Sequence, residues 1–434
     1  MWWPDWPILG IRSPFSHSRN FFVGLFLGFS LSFSSVAVKQ LYNLIKREKP
    51  PPLFNPRPIE LRSDEIVRGV VGLIGNTPLI RITSLSDALG VEILGKAEFL
   101  NPGGSVKDRV ALRMIDDAER QGLIRPNSES RIFEGTVGST GISIATVARA
   151  RGYATTIIIP DDVAEEKAKA LIALGSQVER VRPASIVDKK QFVNVAKLRA
   201  SEYGRSDLVT GAGPSTVPQT VASQSDATTH VHPKEHSDSK GFFADQFENT
   251  SNYDAHFDGT GPELWRQTNG HIDAFVSGAG TGGTIAGVGQ FLKTMDENVK
   301  VVLADPEGSG LFNKVKYGVM FDPKESEGTK RRHQVDTVVE GIGINRLTKN
   351  MELALPIIDD AFRVSDVEAV AMSRYLVMKD GLFVGSSSAC NLFACIKLVK
   401  KLGLHNGETI VTILCDSGNR HYSKVRFFIV FFLH

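Results

Sequence analysis

Asn101 to Arg109 reads NPGGSVKDR. Its proline and glycines make a turn, and straight after it Val106, Val110, Leu112, Met114 and Ile115 fall with the rhythm of a helix. Lys107 therefore stands in the first turn of that helix. The helix macrodipole carries partial positive charge at this end, so an amine there holds its proton less firmly. Partial burial adds to the effect, and a lysine with a lowered pKa is a nucleophile near neutral pH. Taken alone, the stretch fits equally a solvated lysine on an ordinary strand-to-helix connection.

Working outward, the same strand–turn–helix design recurs. Ile272 to Val276 is an apolar strand, Gly278 to Gly283 a glycine-rich turn, and a helix runs from Ile285, within SGAGTGGTIAGVGQFLK (Ser277 to Lys293). Glycines let backbone N–H groups crowd around an anion, and the helix start adds a favourable field. The spacing is not that of GxxxxGK[ST], and a ligand with a single phosphate needs no acidic ribose partner. EGTVGSTGIS (Glu134 to Ser143) sets glycines and hydroxyls ahead of a helix beginning near Gly141, a setting for a carboxylate.

Together with IGNTPLIRI (Ile74 to Ile82) and ETIVTILCDSGNRHYSK (Glu408 to Lys424), these motifs in this order resemble the cysteine synthase (O-acetylserine sulfhydrylase) and cystathionine β-synthase family of pyridoxal-phosphate enzymes. The likeness runs from about Ile74 to about Lys424 and extends to the membrane-anchored fungal members. It implies a two-lobed, tryptophan synthase β-like α/β fold (PLP fold type II), pyridoxal 5'-phosphate as cofactor and a homodimer. By the resemblance, Lys107 is the Schiff-base lysine and the base that takes the substrate's α-proton. Gly280, Thr281, Gly282, Gly283 and Thr284 are the phosphate loop. Thr136, Gly138, Ser139 and Thr140 grip the substrate's α-carboxylate, with Ser139 also touching the cofactor.

Ser417 is aligned with the hydroxyl that faces the ring nitrogen. Such a partner leaves the ring a weaker electron sink than an aspartate would, which restricts the chemistry to elimination and replacement at the β-carbon. Asp416 is read as structural, because neighbouring side chains at a strand end point in opposite directions. GIG (Gly341 to Gly343) and GSSSA (Gly385 to Ala389) match loops that border the site or are plain turns. One departure concerns the carboxylate loop, whose common family form is TSGNTG. Val137 replaces its first serine, and Ser139 replaces its asparagine with a shorter side chain lacking the amide donors. The implied reaction is β-replacement on O-acetylserine with sulfide, giving L-cysteine and acetate. Cystathionine β-synthase-like or serine/threonine dehydratase activity, and a weakly active membrane-tethered cofactor-binding protein, are the alternatives.

The totals agree with one large α/β unit plus extensions. The chain has 434 residues, 42% of them hydrophobic, and a formal net charge of +2, with no basic block long enough for nucleic acid. Cys390, Cys395 and Cys415 form neither a CxxC pair nor an even framework, which fits a reducing compartment without disulfides. His230, His232 and His236 lie in a Ser-, Thr- and Pro-rich stretch and are read as solvated, so no metal is expected.

Domain organisation follows from composition. Residues 1–60 form an anchor and a proline-rich linker, with FFVGLFLGFSLSFSSVAV (Phe21 to Val38) as the membrane helix. This run is apolar all round, unlike a transit peptide, and lacks a clean signal cleavage site. The heavier basic cluster follows it, which places the enzyme on the cytosolic side, at the mitochondrial outer membrane as a single-pass protein. Residues 61–96 and 241–424 are assigned to a larger cofactor lobe and 97–209 to a smaller substrate lobe. Residues 210–240 are a disordered insertion and 425–434 an apolar tail of open role. The chain ends soon after the catalytic unit, so no tandem regulatory domain is expected. Apolar runs near 91–94, 131–133, 155–159, 272–276, 299–303 and 409–414 alternate with helical patterns at 106–121, 141–151, 163–174, 189–203, 285–296, 365–380 and 389–402. That alternation predicts parallel sheets with helices on both faces.

Overall fold

The strands that decide this fold are continuous apolar runs rather than alternating ones. Thr155–Pro160, Ala274–Gly278 and Val301–Pro306 are buried at every position, the pattern of parallel strands covered on both faces. The computed structural model describes residues 66–203, 240–322 and 337–421. The expected membrane helix at 21–38, the insertion up to residue 239 and the 425–434 tail lie outside these. Among the described residues no helix is long and apolar enough to cross a membrane.

In chain order the elements begin with β1 (Leu79–Arg81), α1 (Thr83–Leu89), β2 (Glu92–Ala97), α2 (Lys107–Arg120), β3 (Arg131–Gly135) and α3 (Ser139–Ala150). Next come β4 (Ala154–Pro160), α4 (Glu165–Ala173), β5 (Gln177–Val181), α5 (Phe192–Glu202) and β6 (Gly241–Phe243). Then follow α6 (Ser251–Ala255), a π turn at His256–Thr260, α7 (Gly261–Gln267), β7 (Ala274–Gly278), α8 (Gly283–Met295) and β8 (Lys300–Pro306). The chain continues through α9 (Leu311–Tyr317), α10 (Lys349–Ala354), β9 (Asp360–Val364), α11 (Asp366–Asp380), α12 (Ser386–Leu402) and β10 (Thr409–Leu414).

Two sheets result. One has six strands in the order β1-β2-β10-β7-β8-β9, the other four in the order β5-β4-β3-β6. Among the described residues every strand pairing is parallel except β1 with β2. Ile93, Val276, Val302 and Ile410 of the larger sheet pack with Leu392 and Leu398 of α12. Ile132, Ile157 and Ile159 of the smaller sheet pack with Met114 and Ile115 of α2 and Ile144 of α3. Each such aliphatic side chain contributes roughly 1.5–3 kcal/mol by burial.

All seven helices expected from periodicity are present, with ends shifted by a few residues. One boundary is corrected. The segment 241–424 is not wholly outside the smaller sheet, because Gly241–Phe243 pairs in parallel with Arg131–Phe133 at its edge. The strands that periodicity missed, β1, β5, β6 and β9, are short or half-exposed pieces, all four of them at sheet edges. Edge strands are kept short and polar, so they carry little apolar rhythm.

Candidate active site

The turn ahead of α2 is built by its own side chains. The Asn101 amide donates to Glu98 Oε2 at 2.8 Å, and its Oδ1 accepts the Gly75 N–H at 2.8 Å. The Val106 N–H donates to the Cys415 carbonyl at 2.9 Å, and Ser105 bridges to Asp416, so the start of α2 is pinned to the end of β10. Asp108, buried in the first helical turn, accepts the Gly103 N–H at 2.5 Å and the Ser143 hydroxyl. The helix therefore begins on Lys107 itself. Beneath it, Arg109 forks onto Glu98 and Glu263, and Lys96 also pairs with Glu263 at 2.7 Å. Burial pushes the Lys96 amine down to about 8. Burial alone would raise Glu263, but Arg109 and Lys96 outweigh it and hold the carboxyl below its usual range.

Two adjoining cavities share Lys107, Ser139, Gly280, Thr281 and Asp416 in their walls. The smaller has a volume of about 60 Å³ and the larger about 210 Å³. Burial lowers the Lys107 pKa, opposed in part by the Cys415 and Asp416 side chains. The amine is thus disposed to be neutral and nucleophilic.

Gly280, Thr281, Gly282 and Thr284 line the smaller cavity, and Gly283 supplies the first residue of α8. Gly282 takes φ 90°, and a Cβ there would sit 2.7 Å from the Met351 backbone. The hydroxyl of Thr281 accepts from the Asn252 amide at 2.9 Å, and its carbonyl accepts from Thr348 Oγ1 at 2.7 Å. His256 lies 3.1 Å from Thr284 Oγ1 and 2.9 Å from Thr260 Oγ1, and burial keeps its pKa well below the usual value. Among the described residues no acceptor takes the N–H of Gly280, Thr281 or Gly282. A buttressed turn with N–H groups left over, opening onto a helix start, fits a phosphate.

Thr136, Ser139 and Thr140 line the larger cavity, while Gly138, at φ 149°, turns the chain between them. Thr140 Oγ1 donates to Gln246 Oε1 at 2.6 Å, and Ser139 Oγ accepts from Arg420 at 2.9 Å. Ser139 and Thr140 open α3, so their N–H groups have no partner within the helix.

Ser417 is a correction. It lines neither cavity, and its hydroxyl accepts the Asn419 N–H at 3.3 Å while its backbone bridges to Val384. Asp416, expected to be structural, lies in the wall of both cavities. Side chains do alternate past β10, but with Asp416 toward the cavities and Ser417 away from them. The hydroxyl that this side of the cavity does present is Ser387, buried in the first turn of α12 beside the Cys415 thiol. Burial pushes that thiol up to about 11, so it is inert at neutral pH. Gly341 and Ile342 of the GIG turn line both cavities. Among the groups the motifs did not single out, Lys167, Glu340 and His421 also line the larger cavity. Ser387 was legible within GSSSA. Lys167 carried no signal, being one of two lysines on an ordinary helix.

A lysine desolvated in a first helical turn, facing a phosphate-sized glycine cradle and a hydroxyl-bearing loop, defines an α/β enzyme that holds a phosphorylated carbonyl cofactor through an amine. The chain belongs to the family described as pyridoxal-phosphate dependent enzyme, which it matches over residues 70–416, and it uses pyridoxal phosphate. It is 53% identical over 362 residues to a Schizosaccharomyces pombe protein named Cysteine synthase 2, covering 83% of this chain and 84% of that one. An Emericella nidulans protein of the same name is 56% identical over 360 residues, covering 83% and 79%. A Saccharomyces cerevisiae protein whose name carries the words mitochondrial cysteine synthase is 49% identical over 373 residues, covering 85% and 84%. Among solved structures, that of O-ureido-L-serine synthase superposes with a TM-score of 0.65 at 26% identity, covering 83% of this chain and 94% of that one. A hydrogen sulfide-producing enzyme from Fusobacterium nucleatum gives 0.63 at 27%, covering 83% and 99%.

Proposed function

We propose that this enzyme is a pyridoxal-phosphate-dependent cysteine synthase that replaces the acetoxy group of O-acetyl-L-serine by sulfide, forming L-cysteine and acetate. The observation that carries this reading is that Lys107 stands in the shared wall of two adjoining cavities, one lined by the Gly280–Thr284 turn and the other by the Thr136–Thr140 loop. The names of the fungal relatives support it.

When bound, the cofactor supplies the electron sink that makes the substrate's α-hydrogen acidic. The turn Gly280–Thr284 would hold its phosphate, with N–H groups and the Thr281 and Thr284 hydroxyls as donors. Lys107 would hold its carbonyl carbon. Ser387, rather than Ser417, would face the ring nitrogen, because Ser387 shares the wall of the smaller cavity with Lys107 and Ser417 lines neither cavity. A hydroxyl there limits the sink to what β-elimination and replacement need. The lowered pKa of Lys107 suits it to take the proton from the substrate's α-carbon and to return it after sulfide has added. Ser139, Thr140 and the N–H groups of the first α3 turn would bind the α-carboxylate. The four-stranded sheet with its helices is read as the smaller, substrate-binding lobe.

The test is a substrate panel of O-acetyl-L-serine, L-serine and O-phospho-L-serine, each with sulfide or homocysteine, read as amino-acid product by mass spectrometry. Cysteine from O-acetyl-L-serine and sulfide is expected. Lys107→Ala is expected to abolish both turnover and the visible colour of the bound cofactor. Retention of either in that variant refutes the assignment.

Placement in the cell rests on other observations. The Phe21–Val38 run with its basic flanks supports a membrane anchor, and the name of the Saccharomyces cerevisiae relative supports mitochondria. Taken together they favour a single-pass protein of the mitochondrial outer membrane with its catalytic part toward the cytosol. Release of full-length protein by alkaline carbonate would refute the anchor. A homodimer is the reading for the assembly, to be measured by light scattering.

A further inference from the structure

The short turn Gly418–His421 reaches the loop Thr136–Thr140 along two paths. By the first, Arg420 donates to Ser139 Oγ at 2.9 Å. By the second, a chain of charges crosses the larger cavity. Asp416 Oδ2 lies 2.8 Å from His421 Nε2, and Glu340 Oε2 lies 2.8 Å from His421 Nδ1. The same Glu340 oxygen receives Lys167 Nζ at 2.6 Å. Lys167 belongs to α4, and its stem lies directly over the carboxylate loop. A Cβ on Gly138 would come within 2.7 Å of Lys167 Cδ.

Both ring nitrogens of His421 face carboxylates, and a neutral imidazole has only one N–H to offer. The ring is therefore a cation, and the two cations His421 and Lys167 balance the two anions Asp416 and Glu340. No ring nitrogen is left with a lone pair for proton transfer, which excludes a general-base role for this histidine and leaves a positional one.

We propose that Asp416, His421, Glu340 and Lys167 form a charged latch that holds the Thr136–Thr140 loop in its carboxylate-binding position, with His421 as the positioning residue at its centre. This rests on the reading above that the loop takes the substrate's α-carboxylate. The groups facing His421 are Asp416 from the end of β10 and Glu340 from the segment before the GIG turn, with Lys167 of α4 beyond Glu340. Gly385, at the start of α12, faces its ring edge and brings no charge. Burial alone would lower the imidazole, but the two carboxylates outweigh it and raise it to about 9. A raised histidine pKa means that the latch is complete below about pH 6.5 and is lost as pH rises through about 9.

The test uses the holoenzyme, with L-serine as the probe and the absorbance of the bound cofactor as the signal. Kd is measured between about pH 7 and pH 10 for the wild type, His421→Asn, Lys167→Met and the double variant. Titration of the serine amine is common to all four, so the ratio of variant to wild-type Kd isolates the latch. Loss of one charge-assisted contact is expected to weaken serine binding about tenfold near pH 7, with the ratio for His421→Asn falling toward one above about pH 9. The double variant should be no worse than either single variant, because all break the same chain. Hydrogen exchange of the peptide covering 134–141 should quicken in each variant, with or without cofactor.

A ratio near one at every pH, additive losses, or unchanged exchange overturns the latch. If His421→Asn does not fold, Lys167→Met at the partly exposed end carries the same comparison. Thr140→Val separates the two readings. It should weaken serine binding whether or not the latch exists, and if it does not, the loop is not the carboxylate site and the latch falls with it.

Discussion

Gly282→Ala strikes the anion turn at its tightest point. Gly282 holds φ 90°, a backbone region that costs an L-residue roughly 1–2 kcal/mol. A Cβ there would also come 2.7 Å from Met351 Cα and N and 2.9 Å from its Cβ. These atoms belong to α10, whose start is pinned by Thr348 capping the Met351 N–H at 3.0 Å, so the neighbour cannot swing aside. Overpacking of this kind costs about 1–3 kcal/mol. The sum, roughly 2–5 kcal/mol, corresponds to a loss of cofactor affinity from about thirtyfold to a few thousandfold if the turn yields by opening. The assay is titration of the apoprotein with pyridoxal phosphate, followed by absorbance, beside a thermal melt. Gly403→Ala is the control. It has φ 63° at the end of α12, nothing within 4 Å of its Cβ, and no place in either cavity wall. It should lose stability by the backbone cost alone and keep its cofactor affinity. Wild-type affinity in Gly282→Ala would refute the turn as the phosphate cradle.

Ser387→Ala should weaken cofactor binding about tenfold while Ser417→Ala leaves it unchanged, measured by the same titration, and the reverse ranking would restore Ser417. Arg109→Leu leaves Glu98 and Glu263 buried without their shared cation, which should cost about 3–5 kcal/mol of stability in denaturant unfolding. A loss under about 1 kcal/mol would show that those carboxylates find other partners. Burial raises the Glu134 carboxyl to about 8 from 4.5, so the native state binds its proton more tightly than the unfolded chain. Stability should therefore fall as pH rises from about 4.5 through about 8. Glu134→Gln should flatten that decline in thermal melts, with the gap from wild type widening toward pH 8, whereas parallel curves would count against the buried charge.

The sequence by itself determined the alternation of strand and helix and the places where chemistry is concentrated. Each rests on short-range rules: apolar periodicity marks α2 and α12, and a glycine turn before a helix marks Gly280–Thr284. Lys107 was legible for the same reason, since a lysine in a helical first turn is a local oddity. Edge strands such as β5 and β6 were not legible, because half-exposed backbone pairing leaves no apolar signature. The phase of the residues after β10 belonged to the tertiary structure alone. Alternation says that Asp416 and Ser417 point apart, but only the folded chain shows that Asp416 is the one sharing a cavity wall with Lys107. The latch is of the same kind. Lys167, Glu340 and His421 are widely separated along the chain, and nothing near any of them announces the others. Packing of the small sheet's helices against the GIG turn and the end of β10 brings their charges together, and a charge has no meaning for function until its partner's position is known.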